Sequence, residues 1–270
     1  MLTVSIITVC YNAAEKIRGM LDSVQEQTYP HIEHVVIDGG SGDGTVDIVR
    51  QHGTRVATLV SEPDEGIYDA MNKGIKAATG DVLLFLNADD RLCDFRVAAD
   101  VAAVFGRDPG LELVYGDVLR DLPEGLERVP QMAALTRREL ARTTICHQVI
   151  FSRRELFSRC GGFDGSLRVV ADYAWLMKAA TSGARARHLH RDVAIIGTEG
   201  LSHTASYEDE KRRAMAPYYT PLEMFCWRTL PREVMPRIRR VIAFFLFPVR
   251  FAERVVYQVA DNLRGRKDQP

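Results

Sequence analysis

An amphipathic helix pattern runs directly into an apolar strand pattern that ends in acids, between residues 64 and 91. Apolar side chains recur at i, i+3, i+4 and i+7 over residues 67–78, which predicts a helix with one buried face. Residues 82–86 are all apolar, which is typical of a strand covered on both faces in a parallel sheet. Ligands of open α/β sheets bind beyond the carboxyl ends of the strands, so Asp89 and Asp90 mark a candidate site for a divalent metal that carries a phosphate.

Strand and helix patterns alternate along the first 115 residues. This spacing predicts right-handed βαβ units. The fold class is therefore expected to be α/β, with a mostly parallel central sheet flanked by helices. The predicted strands lie at residues 3–9, 33–38, 56–60, 82–86 and 111–115, and the predicted helices at 17–24, 45–51, 67–78 and 95–105.

The regular alternation weakens after residue 116. A further strand is predicted at 146–151, a short helix at 153–160 and a longer helix from residue 171 to Gly183. Beyond Ser206 the chain changes character and becomes a helical pattern with many basic residues. The expected organisation is one domain at 1–205, with halves at about 1–115 and 116–205, followed by a helical tail at 206–270.

Composition excludes several classes of protein. The 270 residues are 46% apolar and 26% charged, as in ordinary globular chains. The five cysteines are widely spaced and form no C-x-x-C, so neither a disulfide framework nor a zinc site is implied and a reducing cytoplasm is expected. Met1 precedes an apolar strand pattern without a basic region, and no run reaches the roughly 20 apolar residues that span a bilayer. A protein that is neither secreted nor integral to a membrane is expected.

The tail carries an excess of positive charge. Residues 231–270 contain nine basic and four acidic side chains, and an apolar helical stripe runs from Ile238 to Val259 with Pro248 as a kink. A basic amphipathic helix over residues 231–267 suits the anionic inner face of a cell membrane better than nucleic acid, so peripheral membrane contact is predicted. The alternative is that the stripe packs on the body of the chain or on a second copy in a homo-oligomer.

A glycine-rich loop follows the second predicted strand. It reads Gly40-Ser41-Gly42-Asp43-Gly44, which places the third glycine one position too early for the G-x-G-x-x-G fingerprint of dinucleotide-binding proteins. The acid at the strand tip, Asp38, is better placed to accept a hydrogen bond from a base N–H or a ribose hydroxyl than to face a pyrophosphate.

Seven motifs in consistent order resemble the family 2 glycosyltransferases of the GT-A fold. They are VSIITVCYN, VVIDGGSGDGT, EGIYDAMNKGI, GDVLLFLNADD, CHQVIF, GGFD and VVADYAWLMKAA, and the resemblance as a whole covers about residues 2–203. The resemblance is strongest to bacterial enzymes that build exopolysaccharide or colanic-acid-like repeat units. It implies transfer of a sugar from a nucleotide-diphosphate sugar to an acceptor hydroxyl, with inversion at the anomeric carbon and with Mg²⁺ or Mn²⁺ on the donor pyrophosphate.

The resemblance also implies roles for individual residues. The catalytic base is expected at Asp172, because ADYAW falls where the family places it. The metal ligand is expected at Asp90, with Asp89 as the second choice. Contacts with the nucleotide, its diphosphate or the acceptor are expected from Thr8, Tyr11, Asn12, Asp38, Asp69, Asn72, Lys73, Asn87, Asp89 and His147.

The chemistry agrees with this assignment. A metal held by one or two carboxylates neutralises a leaving diphosphate without proton transfer. The acceptor hydroxyl is a poor nucleophile until a positioned carboxylate takes its proton, a contribution of about 10²- to 10⁴-fold. The base must lie opposite the leaving group, and Asp172 lies far along the chain from Asp90.

Each assignment has a structural alternative. Asp172 could cap the helix that follows it, and Asp89 with Asp90 could form a solvated turn. His147 could be a hydrogen-bonded structural histidine. The helix residues Asp69, Asn72 and Lys73 could be the solvated face of an amphipathic helix.

The chain departs from the family pattern at two positions. Asn87 stands where many members have the first Asp of D-x-D, and Glu199 replaces the first Gly of G-G-x-S.

The Q-x-x-R-W signature of processive synthases is absent from the sequence, so one sugar per encounter is expected. Two other functions stay open: a catalytically silent nucleotide-sugar-binding or scaffold protein of a polysaccharide assembly complex, and a nucleotidyltransferase.

Overall fold

The computed structural model describes residues 1–197, 207–220 and 223. The chain forms one compact unit at Met1–Tyr218 and a second at Tyr219–Pro270. The helical stripe, the membrane contact over 231–267 and the Glu199 departure lie outside the described residues. In the part of the chain that is described, no helix is both long and apolar enough to cross a bilayer.

The first half of the compact unit is built from βαβ units, as predicted. Its four strands run parallel in the order β3-β2-β1-β4, and every residue of β1 is buried. The elements are β1 (Val4–Cys10), α1 (Ile17–Gln25), β2 (Ile32–Asp38), α2 (Thr45–His52), β3 (Val56–Ser61), α3 (Ile67–Ala77) and β4 (Val82–Asn87).

The second half continues the same sheet with mixed strand directions. A 3-10 turn occupies His147–Val149, where a strand was expected. The elements are β5 (Arg91–Leu92), α4 (Val97–Arg107), β6 (Leu113–Leu122), β7 (Gly125–Val129), α5 (Arg137–Leu140), β8 (Ile150–Arg153), α6 (Arg154–Cys160), α7 (Ala171–Thr181), β9 (Ala186–Ile196) and α8 (Tyr207–Met215).

The sheet of the described residues has the order β3-β2-β1-β4-β8-β6-β9-β5, with β7 paired to β6. Strand β8 is antiparallel to both β4 and β6, whereas β6 and β9 are parallel. The α/β class is confirmed, and the parallel pairing is concentrated in the first half of the compact unit. Helix α8 belongs to the first compact unit, which therefore extends beyond residue 205 to Tyr218.

Helix α3 packs directly against the centre of the sheet. A Cβ atom added at Gly74 would lie 2.3 Å from Cγ2 of Ile7 on β1, so only a glycine allows this close approach. The buried face of α3 includes Ala70, Met71 and Gly74, which the periodicity predicts, and also Tyr68, which it does not.

The register of the parallel strands places three loops at one edge of the sheet. Cys10 at the end of β1 pairs with Asp38 at the end of β2, and Val9 pairs with Asn87 at the end of β4. The loops that follow these strands therefore meet, as expected for the ligand-binding edge of a parallel sheet.

Candidate active site

A cavity of about 600 Å³ opens at this edge of the sheet. Its walls come from both halves of the compact unit, because the loops after β1 and β4 and the start of α3 face the 3-10 turn and the start of α7. Among the predicted site residues, six line this cavity: Tyr11, Asn12, Asn87, Asp89, His147 and Asp172.

Tyr11 and Asn12 form one wall beside the glycine-rich loop. The Tyr11 side chain is 65% exposed, so its ring is available to a ligand. Asn12 adopts a left-handed backbone with φ 46°, which asparagine tolerates better than most residues. Its backbone N–H donates to Oγ of Ser41 at 2.8 Å, and its side-chain oxygen accepts from the N–H of Gly42 at 3.1 Å. These bonds fix the loop after β1 against the loop after β2.

Asp38 is fully buried and supports the glycine-rich loop from behind. Its carboxylate accepts hydrogen bonds from the N–H groups of Gly40 and Ser41, from the Ser41 hydroxyl and from Oγ of Ser61 at 2.7 Å. Burial raises the pKa of Asp38, but these hydrogen bonds outweigh it and the pKa lies below its usual value. In the described structure Asp38 is not part of the cavity wall; its contact with a base or ribose stays a prediction.

Thr8 also lies behind the wall, contrary to the expectation that its side chain lines the pocket. It is fully buried, and its hydroxyl lies 3.1 Å from Nε2 of His34 on β2. The cavity wall begins one residue further along β1, at Val9, and continues through Cys10, Tyr11 and Asn12.

The polar residues of α3 do not line the cavity in the described structure. Lys73 Nζ lies 3.0 Å from Glu62, 3.4 Å from Asp69 and 2.8 Å from the carbonyl of Pro63. Asp69 and Lys73 thus lie on the solvated face of α3, and Lys73 binds the loop before the helix. This arrangement matches the structural alternative, in which these residues form the solvated face of an amphipathic helix. Asn72 instead makes two hydrogen bonds, both 2.9 Å, with the backbone N–H and carbonyl of Phe163.

The two adjacent acids have different surroundings. Asp89 lines the cavity. Asp90 is 3% exposed, lies outside the cavity wall, and accepts hydrogen bonds from the N–H of Asn87 at 3.1 Å and from the N–H of Gly197 at 3.3 Å. Burial, with the neighbouring charge of Asp89, raises the pKa of Asp90 to about 6. The cavity is therefore lined by Asp89 and not by Asp90, and which of the two acids binds a metal stays a prediction.

Oxygen atoms suited to a hard divalent cation are present beside Asp89. The side-chain oxygen of Asn87 is buried and has no hydrogen-bond partner among the described residues. No group of three or more His, Cys, Asp or Glu side chains that could hold a metal occurs in the described ranges. The oxygen atoms of Asp89 and Asn87 fit a Mg²⁺ or Mn²⁺ ion whose remaining ligands come from a diphosphate and water, as is usual for Mg²⁺.

Asp172 is held by hydrogen bonds from three parts of the fold. It lies in the first turn of α7 and Val170 occupies the cap position, so the structural alternative of an N-cap at Asp172 does not hold. Its Oδ1 accepts from the N–H of Tyr173 at 2.8 Å and from the hydroxyl of Tyr68 at 3.0 Å, and its Oδ2 lies 3.3 Å from Nδ1 of His147. The side chains of Asp172 and His147 are 21% and 16% exposed.

These contacts keep Asp172 ionised. Burial raises its pKa, but the hydrogen bond and charge of the His147 ring, the Tyr173 N–H and the Tyr68 hydroxyl lower it below the usual value. The Nδ1 atom of His147 is the donor in its bond to the carboxylate, and its Nε2 is buried without a hydrogen-bond partner among the described residues. An ionised carboxylate at a cavity wall can accept a proton from a bound hydroxyl.

Three residues of the site are missed by sequence reasoning. Tyr68 lies outside the apolar repeat that predicts α3, and only the structure reveals its burial and its bond to Asp172. Arg168 lines the cavity, but nothing in its sequence context indicates this. The N–H of Gly197 donates to Oδ1 of Asp90, and a Cβ atom added at Gly197 would lie 2.9 Å from Oδ2 of Asp89.

Comparison with known proteins agrees with this architecture. The chain matches the family model described as Glycosyl transferase family 2 over residues 5–98. It is 38% identical over 212 residues to the PGL/p-HBAD biosynthesis glycosyltransferase of Mycobacterium bovis (strain BCG / Pasteur 1173P2), which covers 74% of this chain and 79% of the relative.

Two solved structures of low sequence identity share the fold. S. aureus TarS 1-349 in complex with UDP-GlcNAc superposes with a TM-score of 0.68 at 20% identity, over 86% of this chain and 69% of that chain. Mannosyltransferase PcManGT from Pyrobaculum calidifontis in complex with GDP-Man and Mn2+ superposes with a TM-score of 0.57 at 20% identity, over 100% of this chain and 88% of that chain. From the family model, the relative and these shared architectures together, we conclude that the chain is a glycosyltransferase of the GT-A fold and belongs to family 2.

Proposed function

We propose that this enzyme transfers one sugar per encounter from a nucleotide-diphosphate sugar to an acceptor hydroxyl by a single displacement that inverts the anomeric carbon. The observation that carries this proposal is that Asp89 and Asp172, from distant parts of the chain, line one cavity. Single displacement needs a base and a leaving-group site around one reacting carbon, and these two carboxylates supply them.

The donor side is formed by the loops after β1 and β4. Tyr11 offers an exposed ring to the base of the nucleotide, and Asn12 holds the loop that carries that ring. Asp89 and Asn87 would hold Mg²⁺ or Mn²⁺, which when bound neutralises the charge that develops on the leaving diphosphate.

The acceptor side is formed by the start of α7 and the 3-10 turn. Among the described residues, Oδ1 of Asp172 accepts two hydrogen bonds and Oδ2 only one, the longer one from His147. Oδ2 therefore takes the proton of the acceptor hydroxyl while the oxygen–carbon bond forms and the carbon–diphosphate bond breaks. His147 keeps the carboxylate oriented during this step.

Replacing the base tests this proposal. The donor is first identified by screening UDP- and GDP-sugars for binding. In the Asp172→Asn variant, we expect NDP release in the presence of acceptor to fall by about 10²- to 10⁴-fold. The Kd for the donor is expected to stay unchanged. Asp121→Asn is the control, because Asp121 is a partly exposed carboxylate paired with Arg91 at 2.8 Å and does not line the cavity. Near-normal turnover in Asp172→Asn would remove Asp172 from this role, and no NDP release from the wild type would favour a silent binding protein.

We further propose that the acceptor is lipid-linked, in cell-surface or exopolysaccharide synthesis, and that the tail holds the enzyme at the inner face of the membrane. The support is the sequence of residues 231–267, with its basic excess beside an apolar stripe. We expect the protein to sediment with anionic vesicles. The sedimented fraction is expected to be lower at high salt, and lower than the wild type in a double variant that combines Arg239→Ala and Arg240→Ala. Equal sedimentation with neutral vesicles would contradict this charge-dependent contact.

A further inference from the structure

Tyr68 connects α3 to Asp172 across the cavity. It is 7% exposed, and its hydroxyl donates to Oδ1 of Asp172 at 3.0 Å while lying 2.9 Å from the carbonyl of Val169. Burial and the charge of Asp172 raise the pKa of Tyr68, so the hydroxyl stays protonated and remains a donor. The single proton of the hydroxyl is shared between the carboxylate and the backbone carbonyl just before α7.

Asn72 makes a second connection one helical turn further along α3. Its side chain pairs with both backbone groups of Phe163, and residues four apart lie on the same helix face. A Cβ atom at Gly162 would lie 2.5 Å from Oδ1 of Asn72, so the glycine leaves room for this pair. The rings of Tyr68 and Phe163 are also in contact, with centroids 5.6 Å apart.

These contacts join the two halves of the compact unit. Helix α3 is anchored on β1 by the close approach at Gly74, and its first residues line the cavity together with Asp64 and Gly66. The segment from Phe163 to Asp172 belongs to the other half. Its start is bound by Asn72 and its end by Tyr68, so α3 determines where the carboxylate lies relative to the donor loops.

We propose that Tyr68 and Asn72 are positioning residues that fix the carboxylate of Asp172 against the donor side of the cavity. Neither residue has to touch a substrate for this role. The proposal rests on the function proposed above, because it requires Asp172 to act as the base.

Other groups also face Asp172 and set its protonation. His147 lies at Oδ2 and the Tyr173 N–H lies at Oδ1, whereas the nearby thiol of Cys146 has its pKa raised by burial first and by the charge of Asp172 second. Because the Tyr68 hydroxyl favours the ionised form of Asp172, its removal raises the pKa of the carboxylate. The acid-side limb of the pH profile of kcat/KM therefore moves to higher pH in Tyr68→Phe. A purely structural contact would leave that limb where it is.

The test compares Tyr68→Phe with Tyr29→Phe in NDP release and donor binding. Tyr29 donates its hydroxyl to the carbonyl of Leu2 at 2.6 Å, so its variant loses a similar bond away from the cavity. We expect Tyr68→Phe to lower kcat by about 10-fold, on the order of one hydrogen bond to a charged group, with the acid limb shifted upward and the donor Kd unchanged. Tyr29→Phe is expected to keep the wild-type kcat and pH profile.

Asn72→Ala provides a second, independent variant. It leaves the Tyr68 hydroxyl in place but releases Phe163, so we expect a lower kcat with unchanged donor Kd. The proposal is overturned if Tyr68→Phe keeps the wild-type kcat and pH profile, or if it loses activity with the acid limb unmoved. Normal turnover in Asp172→Asn would instead overturn the proposed function, so the two failures are distinguishable.

Discussion

At the scale of single residues, neighbours in sequence have different chemistry because the fold surrounds them differently. Asp89 lines the cavity, whereas Asp90 is buried and bound by two backbone N–H groups. Sequence alone places both acids at the strand end but cannot say which one turns outward. The same holds for Thr8 and Asp38, which lie at the predicted edge of the sheet with their side chains directed to protein partners.

The metal ligand can be tested at these two acids. We expect Asp89→Ala to abolish the gain in NDP affinity that Mn²⁺ confers, because the variant lacks the carboxylate at the cavity wall. Asp90→Asn is expected to retain that gain. Isothermal calorimetry with NDP, with and without Mn²⁺, measures both variants. Loss of the gain in Asp90→Asn and its survival in Asp89→Ala would restore the assignment to Asp90.

The buried His34 makes the free energy of unfolding depend on pH in the acid range. Burial lowers its pKa from 6.5 to about 4, so folding favours the neutral ring. The stabilisation is present above pH 6.5 and is lost as the pH falls through about 4, because only the unfolded chain then binds the proton readily. We expect this residue to account for about 3 kcal/mol of the decline in unfolding free energy over that interval.

The measurement is urea unfolding between pH 7 and pH 4. His34→Gln keeps a polar partner for Thr8 and is expected to show a shallower decline than the wild type. His31→Gln, at a more exposed ring just before β2, is the control for loss of a histidine. Parallel declines in His34→Gln and the wild type would contradict the assignment.

At the scale of elements, α3 is the helix that connects the sheet, the cavity and the second half of the compact unit. Its periodicity predicts the buried face, and the structure confirms that face. The sequence does not reveal that Tyr68 and Asn72 reach residues some ninety to one hundred positions away. Such contacts depend on how the helix is rotated against the sheet, and that rotation is determined by packing at Gly74.

Gly74→Ala tests that packing. The added Cβ would overlap Ile7, so we expect a loss of about 1–3 kcal/mol in unfolding free energy, typical of an overpacked core. The matched control is Gly19→Ala in α1, where no atom lies within 4 Å of the added Cβ and the helix should gain up to about 1 kcal/mol. Equal stability changes in the two variants would show that Gly74 is not a close contact.

At the scale of the whole molecule, the first half of the compact unit is easier to predict than the second half. Its strands are short, largely apolar segments separated by helix patterns, so their existence and parallel direction follow from the sequence. Strand β7 is mostly exposed and contains Glu127 and Arg128, so it lacks the apolar pattern of a buried strand. Strand β6 continues through Gly116 and the buried Asp117, which interrupt its apolar pattern. Asp117 is accommodated by His188 at 2.8 Å and Arg128 at 2.9 Å, partners that the sequence does not connect.

The anomeric configuration of the product tests the central claim most directly. With the donor found by screening and a matching acceptor, proton NMR of the newly formed glycoside during the first turnovers reports its configuration before any rearrangement. Single displacement, with Asp172 as base on the acceptor side and the diphosphate leaving from the side of Asp89, predicts a product of the opposite anomeric configuration to the donor. A product that retains the donor configuration would contradict it.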